Sequence, residues 1–328
     1  MSSQPIGNCR CGQSFSDSST VHFEAIVPMY KSVDHVPELV DYLDKLSERI
    51  EGKLFVTFVI DGNVDGTTEV LTEFKNIART WDCKIIQFSR NFGVGPALIA
   101  AFENSNSCAS VAFGADLQEP LELLLEFQKL LANPGLNIVL GVRRSRNDPI
   151  VSKMFSKIYW RLYSRFISPN TPKGGFDVCG LSKNAKRALA SMQEKNTNIT
   201  AQIDWLGFTR QYIEFDRKPR SFGKSTWSFG KKLRLFFDSF YGFTDLPIRI
   251  MQLTSGLGVI LFSILGLLTG ASWALGLINI PGYTTIIFLQ LFTANLVILC
   301  ISILAGYVTR TFDNTKNRPR YIVERIIE

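Results

Sequence analysis

The sequence predicts an α/β domain with a mostly parallel, doubly wound sheet, followed by two transmembrane helices. The first observation is an alternation of short apolar runs with helix-periodic segments from His22 to about Gly141, which is typical of parallel sheets. The second is that no Asp, Glu, Lys or Arg occurs between Arg249 and Arg310. This uncharged tract is long enough for two helices of the ~20 apolar residues that a membrane crossing needs.

Five apolar, partly β-branched runs are predicted to form buried parallel strands, over residues 23–27, 54–60, 84–88, 110–113 and 137–141. Apolar residues recur at helical spacing between them and predict helices over 36–50, 70–78, 93–105 and 119–131. A basic helix over 150–167 is expected next, followed by a mixed segment that ends at Arg217. Because ligands of such sheets bind beyond the carboxyl ends of the strands, the strand-end loops form the candidate site.

Two membrane spans are predicted over 251–275 and 285–308, with turn residues around Gly282 between them. Basic residues flank the pair on both sides: Lys231, Lys232, Arg234 and Arg249 before it, and Arg310, Lys316, Arg318 and Arg320 after it. The positive-inside rule therefore places both ends in the cytoplasm. One buried helical hairpin of a soluble protein is the alternative.

A basic, aromatic helix over 229–243 is predicted to lie in the membrane interface, unless it is an ordinary surface helix. The chain then divides into a flexible tail (1–20), the α/β domain (21–225), the interface helix (226–249), the transmembrane hairpin (250–309) and a cytoplasmic tail (310–328). Residues 1–20 are polar and lack the apolar run of a signal peptide. We therefore expect an integral membrane protein with its α/β domain in the cytoplasm.

The net charge of +7 is concentrated beside the membrane segments, so anionic lipids rather than nucleic acid are the expected partner. Two spans make a poor translocation channel. This disfavours a transporter or a processive polysaccharide synthase.

Polar residues end four of the predicted strands: Pro28 and Tyr30, then Asp61 and Asp65, then Arg90 and Asn91, then Asp116 and Gln118. Acidic side chains that converge at one sheet edge suit a divalent cation, Mg²⁺ or Mn²⁺, holding a phosphate-bearing ligand. Structural alternatives stay open for the acids: Asp65 as a cap of the following helix, Asp61 as a turn residue. A purely structural role is least favoured for Asp116 with Gln118.

Two motifs are specific when taken together: Ser-Arg-Asn-Phe-Gly at 89–93 and Ala-Asp-Leu-Gln-Glu-Pro at 115–120. Three further segments match less closely: Gly-Val-Arg-Arg-Ser-Arg at 141–146, Gly-Gly-Phe-Asp-Val-Cys at 174–179 and the basic loop 217–227. In this order the motifs resemble the family-2 glycosyltransferases of GT-A fold, in particular the dolichyl-phosphate mannosyltransferase and polyprenyl-phosphate glucosyltransferase branch. The similarity extends to the Arg-Pro-Arg-Tyr-Ile-Val segment at 318–323.

The resemblance implies a role for each matching residue. On the donor side it implies base packing by Pro28 and Tyr30, a hydrogen bond between Asp61 and the base, and contacts from Arg90, Asn91 and Gly93. It implies Asp116 and Gln118 as ligands of Mg²⁺ or Mn²⁺, and Asp116 and Asp177 as the catalytic acidic residues. The candidates for binding lipid or donor phosphate are Arg143, Arg146, Arg217, Arg220, Lys224 and Ser225.

The implied activity is an inverting sugar transfer from a nucleotide donor, a UDP-sugar in preference to GDP-mannose, to a polyprenyl or dolichyl phosphate at the cytoplasmic membrane face. A lipid phosphate is itself an anionic nucleophile, so catalysis rests on positioning and on neutralisation of the departing diphosphate. A bacterial cell-envelope pathway is the expected setting, and a homo-oligomer stays open.

The chain departs from the family pattern at three positions. Ile60 stands where the family has the first of two paired acids, Gly114 where it has the first Asp of Asp-x-Asp, and Thr226 where it has Lys. Loss of one carboxylate would weaken metal binding or change donor preference. The alternative hypothesis is therefore a catalytically weak relative that binds a nucleotide sugar or a partner as a membrane scaffold.

Overall fold

A computed structural model describes residues 23–77, 79–144, 150–169, 171–172, 174–192, 198–218, 237–241, 243–244, 246–275, 282–316 and 318–328 of the 328-residue chain. These residues fall into two compact units. The first holds a β-sheet with its helices and includes the C-terminal segment, and the second holds two long helices. The domain boundaries expected from the sequence stay predictions.

One sheet is built from all the strands of the described residues. They are β1 (Phe23–Met29), β2 (Leu54–Ile60), β3 (Asp82–Phe88), β4 (Ala109–Ala112), β5 (Ile138–Arg143), β6 (Val178–Ser182), β7 (Arg210–Phe215) and β8 (Val323–Ile327). Their order is β7-β5-β6-β4-β1-β2-β3-β8. Strands β6 and β8 run antiparallel to their neighbours, and the other six run in one direction. The predicted mostly parallel sheet is confirmed.

Helices cover both faces of this sheet. They are α1 (Val36–Arg49), α2 (Thr67–Lys75), α3 (Val94–Glu103), α4 (Leu121–Leu131), α5 (Ile150–Phe166), α6 (Lys183–Ser191) and α7 (Ile199–Trp205). One face packs Val27 and Phe58 against α1 and α4, and the other packs Ile26 and Val59 against α3 and α6. Neighbouring residues of a strand thus enter different cores, because strand side chains alternate between faces.

At the amino ends of the parallel strands lies a largely buried polar network, here called the amino-edge cluster. Its members are Glu24, Thr57, Ser105, Ser107, Ser110 and Lys186. Glu24 accepts hydrogen bonds from Thr57 Oγ1 at 2.5 Å, from Ser107 and Ser110 at 2.9 and 2.8 Å, and from Ser105. Lys186 Nζ donates to the hydroxyls of the three serines at 2.6–2.7 Å. These bonds offset the cost of burying a carboxylate and an ammonium group.

The C-terminal segment, expected from the sequence to be a cytoplasmic tail, adds strand β8 to the edge of the sheet beside β3. Ser89 N–H donates to Ile322 O at 3.1 Å, and Tyr321 stacks on Phe88 with ring centroids 4.9 Å apart. Strands β6 and β7 also lie in a segment where the sequence predicted no strand. All three depend on pairing with distant parts of the chain, which local apolar patterns do not encode.

The second unit contains α8 (Leu246–Ala274) and α9 (Tyr283–Thr315), which overlap the segments 251–275 and 285–308 that were predicted as spans. Among the described residues, one stretch, Phe292–Thr309 within α9, is both long and apolar enough to cross a membrane. Helix α8 exposes large apolar side chains, including Leu253, Leu257 and Leu267. For the predicted interface helix, residues 237–241 and 243 are helical, and 229–236 lie outside the described residues.

Candidate active site

Seven chain segments bring polar residues to the carboxyl edge of the sheet. Tyr30, Asp61, Arg90, Asp116 and Arg217 follow β1, β2, β3, β4 and β7, and Arg143 ends β5. Asp177 joins them from the opposite chain direction, because it directly precedes the antiparallel strand β6. The predicted convergence of strand-end residues at one edge is therefore present. Five of the residues there form the carboxyl-edge cluster, which consists of Asp116, Glu119, Arg143, Asp177 and Arg217.

Arg143 and Asp177 form a bidentate ion pair within this cluster. Arg143 Nη2 donates to Asp177 Oδ1 at 2.7 Å, and Arg143 Nε donates to Oδ2. Backbone pairing holds the two residues in place, since Asp177 N–H donates to Gly141 O at 2.9 Å. Both side chains keep part of their surface exposed. The pair thus presents a fixed, accessible guanidinium group, the geometry that suits phosphate oxygens.

Arg217 pairs with Asp116, with Nη2 at 3.7 Å from Asp116 Oδ2. Its Nε is buried and has no hydrogen-bond partner. Burial lowers the pKa of Arg217, and the positive charge of Arg143 lowers it further. Two guanidinium groups are therefore held near each other, an arrangement that favours binding of an anion.

Glu119 is a site residue that reasoning from the sequence missed, although it lies within the motif at 115–120. Its side chain is almost fully buried, with 2% exposed, and its Oε2 has no hydrogen-bond partner. Burial and, to a smaller extent, the charge of Asp116 raise its pKa to about 7, although the charge of Arg217 opposes the rise. A buried acid whose pKa is raised by burial and by a neighbouring carboxylate is a candidate for a functional site.

The loop that carries Asp116 and Gln118 has an unusual backbone. Leu117, between them, has a φ of +50°, in the left-handed region that non-glycine residues rarely adopt. Its side chain packs against the core, and this contact anchors the turn. Gln118 is buried and tied to the segment after β7, because Gln118 Nε2 donates to Lys218 O and Lys218 N–H donates to Gln118 O, both at 2.9 Å. These bonds link the β4 loop to Arg217.

Asp61 binds the backbone of the neighbouring loop. Its carboxylate accepts from Phe92 N–H at 2.6 Å and from Gly93 N–H at 2.8 Å, at the start of α3. Burial raises the pKa of Asp61, and the two backbone bonds oppose that rise. A Cβ on Gly62 would lie 2.8 Å from Asn91 N, so only glycine allows the two loops to approach this closely. Asp61 thus positions residues 90–93, and its predicted contact with a base stays a prediction.

The remaining donor-side residues lie around this junction. Pro28 is within β1, paired in register with Val59, and Tyr30 follows the strand with 41% of its surface exposed. Arg90 and Asn91 are exposed, and the Arg90 guanidinium lies 4.5 Å from the centroid of the Phe92 ring. Asp65 accepts from Thr67 N–H, at the start of α2, and from Val33 N–H, so its carboxylate is bound to two loops. Arg146, Arg220, Lys224 and Ser225 lie outside the described residues.

Asp116 and Gln118 were predicted to hold a divalent cation. Among the described residues, no three His, Cys, Asp or Glu side chains cluster as a complete ligand set. Mg²⁺ and Mn²⁺ commonly take one or two carboxylates and complete their shell with water and substrate phosphates. The unpartnered Oε2 of Glu119, directed toward the Asp116 loop, is a buried oxygen that a cation would satisfy. The residues present therefore fit such an ion.

Comparison with known proteins identifies the family. Residues 24–190 match glycosyl transferase family 2. The protein CsbB of Bacillus subtilis (strain 168) is 31% identical over 301 residues, covering 91% of this chain and 90% of the relative. A prophage bactoprenol glucosyl transferase homolog of Escherichia coli (strain K12) is 24% identical over 309 residues, covering 92% and 98%. The undecaprenyl-phosphate 4-deoxy-4-formamido-L-arabinose transferase of Proteus mirabilis (strain HI4320) is 24% identical over 311 residues, covering 92% and 93%.

These relatives confirm the predicted resemblance to family-2 enzymes that transfer sugars to polyprenyl phosphates. The mostly parallel α/β sheet is GT-A-like, as the resemblance implied. The chain therefore belongs to glycosyl transferase family 2.

Proposed function

We propose that this protein transfers a sugar from a nucleotide-sugar donor to a polyprenyl phosphate at the cytoplasmic face of a membrane. The observation that carries the proposal is the carboxyl-edge cluster, where Arg217 Nη2 lies 3.7 Å from Asp116 Oδ2 and Arg143 is held by Asp177. An anionic donor and an anionic acceptor must meet in such a reaction, and two buried or half-buried guanidinium groups reduce their repulsion. The names of the relatives from Escherichia coli and Proteus mirabilis support a polyprenyl-linked acceptor.

In the proposed reaction the lipid phosphate oxygen attacks the anomeric carbon, and the nucleoside diphosphate leaves from the opposite face. Arg143, held by Asp177, would bind and orient a phosphate group. Asp116 and Gln118 would hold Mg²⁺ or Mn²⁺, which when bound neutralises the charge of the departing diphosphate. We infer no general base, since the phosphate nucleophile is already ionised. Pro28, Tyr30, Arg90, Asn91 and Gly93 would form the donor side, with a UDP-sugar preferred to GDP-mannose.

Membrane attachment through α8 and α9 is part of the proposal. Arg249 lies in the first turn of α8, Arg310 lies near the end of α9, and Lys316 and Arg318 follow α9. If both helices span the membrane, the positive-inside rule places the first unit in the cytoplasm. Polyprenyl phosphate would then reach the site from the same membrane, and anionic lipids would contact the flanking basic residues.

A second candidate function follows from Gly114, which removes one acid of the family pattern. A catalytically weak relative would bind a nucleotide sugar without transferring it. This candidate and the transferase proposal differ in one measurable outcome, which is the appearance of a lipid-linked sugar.

The test is a donor screen with the purified full chain in detergent, undecaprenyl phosphate and Mn²⁺ or Mg²⁺. UDP-glucose, UDP-galactose, UDP-N-acetylglucosamine and GDP-mannose would be offered separately, and lipid products identified by mass spectrometry. We expect one donor to give a glycosyl phospholipid that requires both the metal and Asp116, so EDTA or Asp116→Ala abolishes it. A folded protein that binds a donor but forms no product with any of them would support the weak relative instead.

A further inference from the structure

At Gly114 the chain lacks one carboxylate of the family pattern, and in the structure other carboxylates border the space that this side chain would occupy. A Cβ built on Gly114 would lie 2.7 Å from Asp116 Oδ1 and 3.8 Å from Glu119 Oε2. Two carboxylate oxygens from different residues thus face the same small space. That space is where a side chain at position 114 would begin.

Among the described residues, neither an ion pair nor a cap of the following helix accounts for the burial of Glu119. Helix α4 begins at Leu121, and its first-turn acid is Glu122, which is exposed and pairs with Arg49 at 3.0 Å. Glu119 lies before the helix with its backbone oxygen accepting from Tyr42 Oη at 3.2 Å. Its Oε2 makes no hydrogen bond, even though Arg217 is close enough to influence its charge. A buried carboxylate oxygen without a partner costs free energy unless a ligand completes it.

We infer that Glu119 supplies the carboxylate that position 114 lacks, as a further ligand of the divalent cation held by Asp116 and Gln118. The inference rests on the proposed function, because it assumes that a cation binds at this edge. A ligand from residue 119 restores the negative charge that the departure at Gly114 removes. The chain would then be an active transferase that carries this carboxylate at position 119 instead of 114, and not a catalytically weak relative.

A direct binding measurement tests the inference without turnover. Mn²⁺ binding to the full chain would be followed by electron paramagnetic resonance in the presence of UDP, for the unaltered protein, Glu119→Gln, Asp116→Asn and Glu122→Gln. We expect Glu119→Gln to weaken Mn²⁺ binding by about tenfold or more, since ligand charge sets the affinity of such sites. Glu122→Gln, three residues away and exposed, is the matched control and should change affinity less than about twofold.

Two results would overturn the inference in distinguishable ways. If Asp116→Asn loses Mn²⁺ while Glu119→Gln binds it as tightly as the unaltered protein, the cation site stands and Glu119 is not a ligand. If none of the variants changes Mn²⁺ binding, both the inference and the proposed metal site fail.

A second variant guards against a trivial loss of structure. Gly114→Asp introduced into Glu119→Gln returns one carboxylate to the same space. The atom nearest to the new Cβ is Asp116 Oδ1, the end of a side chain that can rotate away. We expect this double variant to recover at least part of the Mn²⁺ affinity. No recovery in a protein with an unchanged circular dichroism spectrum would contradict a shared role of positions 114 and 119.

Discussion

The two edges of the sheet hold buried charges in contrasting ways. In the amino-edge cluster, both oxygens of Glu24 and the ammonium group of Lys186 are hydrogen bonded through three serines and Thr57. In the carboxyl-edge cluster, Glu119 Oε2 and Arg217 Nε are buried without partners. The chain thus satisfies its polar atoms at one edge and leaves some unsatisfied at the other.

The contrast shows that, within one fold, a structural cluster and a binding site differ in whether their buried polar atoms have hydrogen-bond partners in the protein. A buried polar group without a partner costs about 1–3 kcal/mol, so such groups persist where a ligand completes them. The left-handed φ of Leu117 adds a further cost at the carboxyl edge, and among the described residues the other non-glycine with positive φ, Lys31, follows β1 at that same edge. The buried polar groups of the amino edge are hydrogen bonded and are expected to stabilise the fold. Those of the carboxyl edge include unpartnered atoms that a ligand could bind.

The largest effect on stability is expected from Lys186→Met. This change removes the cation from the amino-edge cluster and leaves Glu24 as a buried charge with hydroxyl partners only. The free energy of unfolding should fall by about 3–5 kcal/mol. Denaturant unfolding of the full chain in detergent measures it, with Arg187→Met, the exposed neighbour, as the control. A loss as small as that of the control would show that the amino-edge cluster is not a stabilising network.

The second effect is a dependence of the free energy of unfolding on pH, caused by Glu119. In the metal-free protein its folded pKa is about 7, compared with 4.5 for the ordinary side chain. The folded state therefore holds a proton that the unfolded state has lost, and the stability gained from it is full below pH 4.5 and is lost as the pH rises to 7. The loss is up to about 3 kcal/mol. Unfolding in EDTA from pH 5 to 8 should show it in the unaltered protein and less of it in Glu119→Gln. Parallel curves for the two proteins would contradict it.

A smaller effect is expected from Asp177→Asn, which removes the carboxylate that fixes Arg143 and leaves two guanidinium groups without this counter-charge. Arg143 would lose its fixed orientation, and the sugar-transfer rate should fall about 10–100-fold, equivalent to about 1.4–2.8 kcal/mol. Steady-state transfer to undecaprenyl phosphate measures it. Asp216→Asn, which alters an exposed pair with Arg144, is the matched control. Equal rates in both variants would remove Asp177 from the site.

The smallest effect is expected from Glu122→Gln, at an exposed ion pair with Arg49. Solvent screens such pairs, so the free energy of unfolding should change by less than about 0.5 kcal/mol. The same unfolding measurement gives this baseline. A change comparable to that of Lys186→Met would mean that burial does not separate the two kinds of charge.

Local patterns predicted most of the parallel sheet and its helices. Strand β2 was predicted with its observed bounds, because a continuous apolar run records burial on both faces. The antiparallel strand β6 and the tail strand β8 were missed. Strand β8 pairs with residues more than 230 positions earlier, as Arg325 does with Gln87. Such pairing leaves no local pattern in the sequence.

For the candidate site, the sequence likewise predicted the position but missed some of the contacts. Convergence of the strand ends follows from the topology, which brought Asp116, Arg143, Asp177 and Arg217 to one edge. Glu119 was missed because its importance depends on burial and on the turn at Leu117, neither of which the motif reveals. The double backbone contact of Asp61 was missed for the same reason, since it requires the close approach at Gly62.

The most direct test of the division between the edges compares activity with stability in one variant, Asp116→Asn. The measurement is the transfer of radiolabelled sugar to undecaprenyl phosphate by the folded variant, with the donor that the screen identifies. We predict a loss of about 100-fold or more with little change in the free energy of unfolding, because the loss of repulsion from Glu119 and the loss of the ion pair with Arg217 oppose each other. Transfer at the unaltered rate would contradict the assignment of the carboxyl edge as the catalytic site.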